Sequence, residues 1–131
     1  MDKVVHFDIP ADDAERAKKF YKSIFGWDIS DVPGMPYWIV RTVKVDDKMM
    51  PMEMGAINGG IFKREDKAAL GSQGPILVIN VPNAKAYCQK IEKSGGKVIA
   101  QPAKVMEMGV YAKVMDTEGN VIGIWEDIKR H

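Results

Sequence analysis

The sequence is poor in the side chains that most often build a catalytic or metal centre. It contains one cysteine, Cys88, and two histidines, His6 and His131. A single cysteine excludes a disulfide within the chain, and without a CxxC pair the common zinc and redox motifs are excluded as well. The same scarcity predicts a reducing, cytoplasmic location. His6 stands out because it lies in KVVHFDI, a segment that is otherwise typical of a buried strand.

Neither sign of charge predominates, and no apolar run is long. The 131 residues carry 19 Lys and Arg against 18 Asp and Glu, which gives a net charge of +1. Without a basic stripe we expect no nucleic-acid partner. Without a membrane-length apolar run or a signal-peptide pattern we expect no membrane partner. The partners that remain are a small molecule and a second copy of the chain.

What the chain does contain is an internal repeat in the order strand, helix, strand, strand, strand. In the first copy KVVHFDI predicts a strand that ends at Pro10, Asp12 and Asp13 offer helix N-caps, and Gly26 predicts the helix end. In the second copy ILVINVP predicts the strand and Asn83 the helix start. The shared order predicts an α+β fold of two tandem βαβββ modules.

The repeat divides a single domain of residues 1–131 into two modules. Module one covers about residues 1–64 and module two about residues 75–131. Between them KREDKAALGSQGP is charged and then rich in Gly and Ser, which is typical of a linker at residues 65–74. Cys88 lies on the apolar stripe of the second helix, which predicts a small core residue rather than a nucleophile.

Three stretches give the chain a resemblance to a known family: HFDIPADDAERAKKFYKSIFGWDI, SGGKVI and KVMDTEGNVIGIWED. They resemble the vicinal oxygen chelate superfamily, which contains glyoxalase I, bleomycin-resistance proteins and extradiol dioxygenases. Within it, the chain is most similar to uncharacterised members related to lactoylglutathione lyase. The resemblance implies that the two modules form a curved, cup-shaped mixed sheet with the helices on its outer face.

In metal-dependent relatives the ligands come from the first and last strands of each module. An overlay of HFDIP on VINVP and of GGIFK on IGIWE places these four positions at His6, Lys63, Val78 and Glu126. Val78 has no donor atom and a protonated Lys63 repels a cation, so His6 and Glu126 are the only competent ligands. We therefore expect no complete metal site and no cofactor.

The overlay leaves two alternatives open. If the register is shifted, Glu53, Asp8 or Glu107 would supply a third donor and complete a divalent metal site. Without a metal, His6 beside Glu126 is suited to proton abstraction, and both are named as catalytic candidates. The structural alternative is a Lys63–Glu126 ion pair to which His6 hydrogen-bonds.

Apolar and aromatic residues supply the candidate ligand contacts. The methionine-rich segment DDKMMPMEM predicts either a flexible rim for a hydrophobic ligand or a packed loop or dimer contact. Alternation along YWIVR puts Trp38 on one face and Tyr37 and Arg41 on the other, and only one face lines the cup. Trp125 and Phe62 are expected on the helix side. The candidate ligand-binding residues are Trp38, Met52, Met54, Lys63 and Tyr111.

Three functions are compatible with these features. The first is a metal-independent member of the superfamily that holds a small organic molecule, as a lyase- or isomerase-like enzyme using His6 and Glu126. The second is a non-catalytic protein that sequesters a small molecule, as bleomycin-resistance proteins do. The third is a metal-dependent lyase or dioxygenase, which the missing ligands disfavour. The resemblance also implies a homodimer.

Overall fold

The computed structural model describes residues 1–64 and 74–128, and it contains the predicted repeat. The elements are β1 (Lys3–Ala11), α1 (Ala14–Phe25), β2 (Asp28–Asp31), β3 (Tyr37–Arg41), β4 (Asn58–Lys63), β5 (Ile76–Asn80), α2 (Ala84–Lys93), β6 (Lys97–Val105), β7 (Gly109–Met115) and β8 (Val121–Asp127). The order βαβββ occurs twice, so the predicted α+β class and the tandem modules are confirmed. The proposed linker lies almost wholly outside the described residues. No helix in the described ranges is long and apolar enough to cross a membrane.

The chain divides into two compact units that follow the repeat. One unit is His6–Pro75, and the other combines Met1–Val5 with Ile76–His131. The first five residues thus belong to the unit of the second module, where the Tyr87 hydroxyl donates to Asp2 Oδ2 at 2.7 Å. This hydrogen bond raises the pKa of Tyr87.

In module one, β1 pairs with β4 in parallel, and β4, β3 and β2 pair in antiparallel order. Asp13 caps α1, because its side chain accepts from the Arg16 N–H, and Gly26 ends the helix in the left-handed conformation at φ +71°. The prediction that Pro10 ends β1 is wrong. Proline's φ fits an extended strand, and β1 continues to Ala11, whose carbonyl accepts from the Arg64 N–H.

Module two repeats this pattern with β5 parallel to β8, and with β8, β7 and β6 antiparallel. Asn83 caps α2 by accepting from the Ala86 N–H. Cys88 lies in the core that α2 covers and is 4% exposed, which confirms it as a core residue. Burial raises the pKa of its thiol, so the reactive thiolate is disfavoured.

Side-chain alternation gives the four strands of each module two distinct faces. We call the face that packs against the module's own helix the helix face, and the other the opposite face. In module one the helix face carries Val40 and Ile61, which are fully buried in one cluster with partly buried Phe7 and Tyr21 around them. In module two the helix face carries Ile124, packed in the cluster of α2.

The aromatic residues of the last strands lie on the opposite faces. Phe62 pairs with Tyr37, and Trp125 pairs with Tyr111. Both last strands place an isoleucine on the helix face directly before these aromatics. The expectation that Phe62 and Trp125 point toward the helices is therefore wrong. The sequence pattern shows which residues share a face but not which face the helix covers.

Candidate functional site

Three polar side chains of module one converge on the opposite face. The Tyr37 hydroxyl donates to Asp8 Oδ1 at 2.6 Å, and His6 Nε2 lies 3.0 Å from the same oxygen. His6 Nε2 also lies 2.8 Å from the Tyr37 hydroxyl oxygen. The Asp8 side chain is 13% exposed and the His6 side chain 35%. A nearly buried carboxylate thus holds an imidazole that solvent can reach.

Gly60 makes this convergence geometrically feasible. Asp8 on β1 and Ile39 on β3 both pair with Gly60 on the intervening strand β4. A Cβ atom at Gly60 would collide with the hydroxyl and ring of Tyr37. The tyrosine side chain therefore crosses β4 over the bare glycine backbone and reaches the neighbouring strand.

The hydrogen-bond pattern favours one tautomer of His6. The Tyr37 proton is directed at Asp8, so the phenol oxygen and the carboxylate both face Nε2 as acceptors. With the Tyr37 proton directed at Asp8, the tautomer protonated at Nε2 fits these contacts, because an unprotonated Nε2 would face two acceptors. In the neutral ring the lone pair is on Nδ1. Asp8 and Tyr37 thus orient the imidazole and leave Nδ1 as its basic atom.

The structure gives Glu126 and Lys63 different surroundings from those predicted. Glu126 Oε1 accepts from the Ala84 N–H at 2.7 Å, at the start of α2. This contact gives the buried Ala84 N–H, which has no acceptor within the helix, a hydrogen-bond partner, and it places a carboxylate at the positive end of the helix. Lys63 is exposed at the end of β4, paired with Ala11. The catalytic role of Glu126 and the ligand-binding role of Lys63 stay predictions.

Strand pairing corrects the overlay of the two modules. Gly60 pairs with Asp8, and Gly123 pairs with Val78. The counterpart of Val78 is therefore Asp8 rather than His6. The overlay aligns Pro10 with Pro82, although Pro10 lies within β1 and Pro82 follows β5, and it is therefore displaced by two residues. A displacement of two residues keeps every side chain on the same face of its strand, so the alternation of apolar and polar residues does not reveal the error.

The described residues do not fit the four-ligand metal site that the resemblance implies. Val78 is aliphatic and 3% exposed, and Lys63 is a cation. Glu126 is engaged at the start of α2. Within residues 1–64 and 74–128, no group of three His, Cys, Asp or Glu side chains could hold a metal ion. Of the carboxylates considered as a third donor, Asp8 is next to His6, whereas Glu107 pairs with Lys104.

The residues predicted to bind the ligand lie in different surroundings. Trp38 packs on the helix face of module one, so the side of β3 that carries the polar cluster bears Tyr37 instead. Met52 and Met54 are strongly exposed. Tyr111 lies over Gly123 beside Val78, as Tyr37 lies over Gly60. The ligand-binding roles of these residues stay predictions.

Sequence reasoning missed Asp8 and Tyr37 as the partners of His6. Two signals were present: Asp8 is two residues after His6 on the same side of a strand, and Asn58-Gly59-Gly60 marks a close approach. A charged residue inside an apolar strand needs a partner when it is buried. These signals together indicate a polar cluster on β1.

The chain from residue 3 to residue 124 matches the family profile described as "Glyoxalase/Bleomycin resistance protein/Dioxygenase superfamily". It is 32% identical over 123 residues to a "Glyoxylase-like domain-containing protein" of Didymella fabae, which covers 89% of this chain and 88% of that protein. It is 27% identical over 126 residues to "Putative glyoxylase CFP32" of Mycobacterium bovis, covering 91% of this chain but 43% of that protein.

The fold is similar to that of solved structures with little sequence identity. Methylmalonyl-CoA epimerase from Streptomyces coelicolor superimposes with a TM-score of 0.67 at 16% identity, covering 97% of this chain and 98% of that chain. At this identity the likeness concerns the fold alone.

Proposed function

Because the chain belongs to the glyoxalase/bleomycin resistance protein/dioxygenase superfamily, we propose that it binds a small organic molecule and catalyses a metal-independent proton transfer on it. The activity is lyase- or isomerase-like, and His6 is the base. The observation that carries this proposal is the contact of His6 Nε2 with both Asp8 and Tyr37. Glu126 is retained as a second catalytic candidate.

The chemistry follows from the protonation state of the ring. Nδ1 removes a proton from a carbon next to a carbonyl group, which leaves an enolate and an imidazolium. Asp8, as a carboxylate, stabilises the imidazolium charge because it lies 3.0 Å from Nε2. Return of the proton to the other face of the same carbon completes an isomerisation and regenerates the neutral ring. The similarity of the fold to methylmalonyl-CoA epimerase is compatible with such a step.

Hydrogen–deuterium exchange tests the proposal without a known substrate. Methyl levulinate, a neutral ketone, is incubated with the protein in D₂O, and loss of its α-proton signals is followed by NMR. We expect exchange above the buffer rate, and His6→Gln should lower it by about 10²- to 10⁴-fold. Glu126→Gln reports separately on the second candidate. Exchange that persists at the wild-type rate in the His6 variant would overturn the proposal.

A non-catalytic sequestration protein is the second candidate, favoured by one observation. Met49, Met50, Met52 and Met54 are each more than half exposed along one segment of module one. Adaptable methionines suit a surface that contacts varied apolar ligands. This candidate predicts tight binding of a hydrophobic drug, weakened by Met52→Ser with Met54→Ser, in a protein that catalyses no exchange.

The remaining parts of the proposal concern assembly and location. We propose a homodimer located in the cytoplasm, with modules at about residues 1–64 and 75–131. Phe20, Ile24 and Phe25 on α1 are each more than half exposed, which suits an intermolecular contact. Light scattering measures the mass in solution, and Phe20→Ser with Ile24→Ser should shift a dimer toward monomer.

A further inference from the structure

Arg41 is placed to take part in the same site. It is on the opposite face of β3, four residues after Tyr37 and therefore on the same side of the strand. Val40 pairs with Gly59, so the next residue of β3, Arg41, lies beside Asn58 on β4. Asn58 in turn pairs with His6 on β1. A row of Arg41, Asn58 and His6 crosses three strands. Two strand spacings separate the Cα atoms of Arg41 and His6 by about 10 Å.

Arg41 is partly buried and has no ion-pair partner among the described residues. Across residues 1–64 and 74–128, Arg41 makes no ion pair and no side-chain hydrogen bond. The carboxylate opposite it in register is that of Asp28, which is exposed and forms no ion pair with it within 4.0 Å. A partly desolvated arginine with free donors is a binding group for a planar anion.

The surface between Arg41 and His6 is suited to a short carbon chain. Ile39 lies on this face beside Gly60, and the ring of Tyr37 covers the glycine. Asn58 Oδ1 is engaged with the N–H groups of Thr42 and Val43, at 2.8 and 3.0 Å. The site thus has a cation at one end, an imidazole at the other and apolar surface alongside.

We propose that Arg41 binds the carboxylate of the substrate, so that the protein acts on small organic acids whose acidic C–H lies near His6 Nδ1. This proposal rests on the proposed proton transfer and names its substrate class. The carboxylate accepts hydrogen bonds from the guanidinium, and the carbonyl-activated carbon is then held several bonds away. Arg41 is a specificity-determining residue, because it contacts the substrate but not the transferred proton.

Levulinate and its methyl ester test the two proposals separately, because they share the ketone and differ in the carboxylate. We expect levulinate to have a KM for α-proton exchange lower than that of the ester by roughly 10- to 100-fold. Arg41→Gln should raise the KM for levulinate and so remove this preference. Lys19→Gln, on exposed α1, removes one positive charge elsewhere and should keep the preference.

The outcomes are distinguishable. Exchange that depends on His6 but shows no preference for levulinate, or a preference that survives Arg41→Gln, would overturn the role of Arg41 alone. Exchange independent of His6 would overturn the proton-transfer proposal itself.

Discussion

The two modules share one backbone plan but differ in what they place on their opposite faces. In each, a tyrosine crosses a glycine of the last strand, as Tyr37 crosses Gly60 and Tyr111 lies over Gly123. In module one the tyrosine reaches Asp8. In module two the matching position is Val78, which is 3% exposed.

The same substitution pattern extends to the rest of the polar row. The counterpart of His6 is Ile76, which is 1% exposed, and the counterpart of Arg41 is Met115. In module two, apolar side chains therefore occupy the positions at which module one has an imidazole, a carboxylate and a guanidinium. A polar group at such a position requires a partner when buried, and only module one provides it. The fold is common to both modules, whereas the proposed chemistry belongs to one.

Exchanging the two matching residues gives the largest expected effect. Val78→Asp places a carboxylate in an apolar surrounding, and the free energy of unfolding should fall by about 3–5 kcal/mol. Asp8→Val removes a charged group that costs desolvation, so stability should change by less than about 1.5 kcal/mol while His6-dependent exchange is lost. Urea denaturation measures both.

Val78→Asn separates charge from polarity in this comparison. An amide has a size similar to that of valine and carries no charge, so its cost should be about 1–3 kcal/mol. If Val78→Asp is as stable as the wild type at neutral pH, then module two can accommodate the carboxylate. The contrast between the modules would then not rest on burial.

The two crossing glycines provide the next test. Gly60→Ala forces Tyr37 away from Asp8, because the added methyl group occupies the space of the hydroxyl. We expect a loss of about 1–3 kcal/mol in unfolding free energy and a matching loss of exchange activity. A Cβ atom at Gly123 would lie 2.7 Å from the Tyr111 hydroxyl and 3.0 Å from Val78. Tyr111 therefore needs to move less in Gly123→Ala than Tyr37 does in Gly60→Ala. Equal losses from both variants would show that the Tyr37 contact adds nothing specific.

Turns that connect the third and fourth strands differ at one backbone position. Asp46–Met50 and Asp116–Asn120 form the same kind of turn, in which the aspartate side chain accepts from N–H groups two and four residues on. The residue with positive φ is Met49 in module one and Gly119 in module two. Met49→Gly should therefore raise the melting temperature, by relieving about 1 kcal/mol of strain.

Gly119→Ala is the matched control and should cost a similar amount, because it creates in module two the strain that module one already has. The comparison would break if Met49→Gly lowered stability, which would mean that contacts of the methionine side chain outweigh its strained backbone. Thermal unfolding followed by circular dichroism distinguishes the two results.

Sequence signals that act within a few residues predict the helices and strands of the fold. They do not predict which residues of distant strands pair with each other. Helix caps at Asp13 and Asn83 and the stop at Gly26 act within a few residues, so sequence alone located them. The position of Asp8 relative to Val78 depends on which residues of β1 and β5 pair with β4 and β8. That register is fixed by contacts between residues far apart in the sequence. Aligning Pro10 with Pro82 therefore gives the wrong register.

The candidate site illustrates the same limit. His6 was identified from its position in a strand, but its partners were sought at Glu126 rather than among nearby residues. Tyr37 reaches Asp8 only because Gly60 has no side chain, a relation among three strands that alternation cannot reveal. Arg41 was assigned correctly to the face of Tyr37, while the choice between the two faces needed the packing of α1 against Val40.

Acid sensitivity of the turn at Asp116–Asn120 in module two gives the smallest expected effect. Hydrogen bonds from the backbone N–H of Asn120 above all, then from its side chain, lower the pKa of Asp116. A carboxyl group with a lowered folded-state pKa contributes stability above its unfolded value, about 3.9, and loses it as the pH falls through the folded value. Asp116→Asn should therefore flatten the decline of stability below about pH 4. Urea midpoints measured from pH 2 to pH 6 check this, and a decline for Asp116→Asn equal to that of the wild type would contradict it.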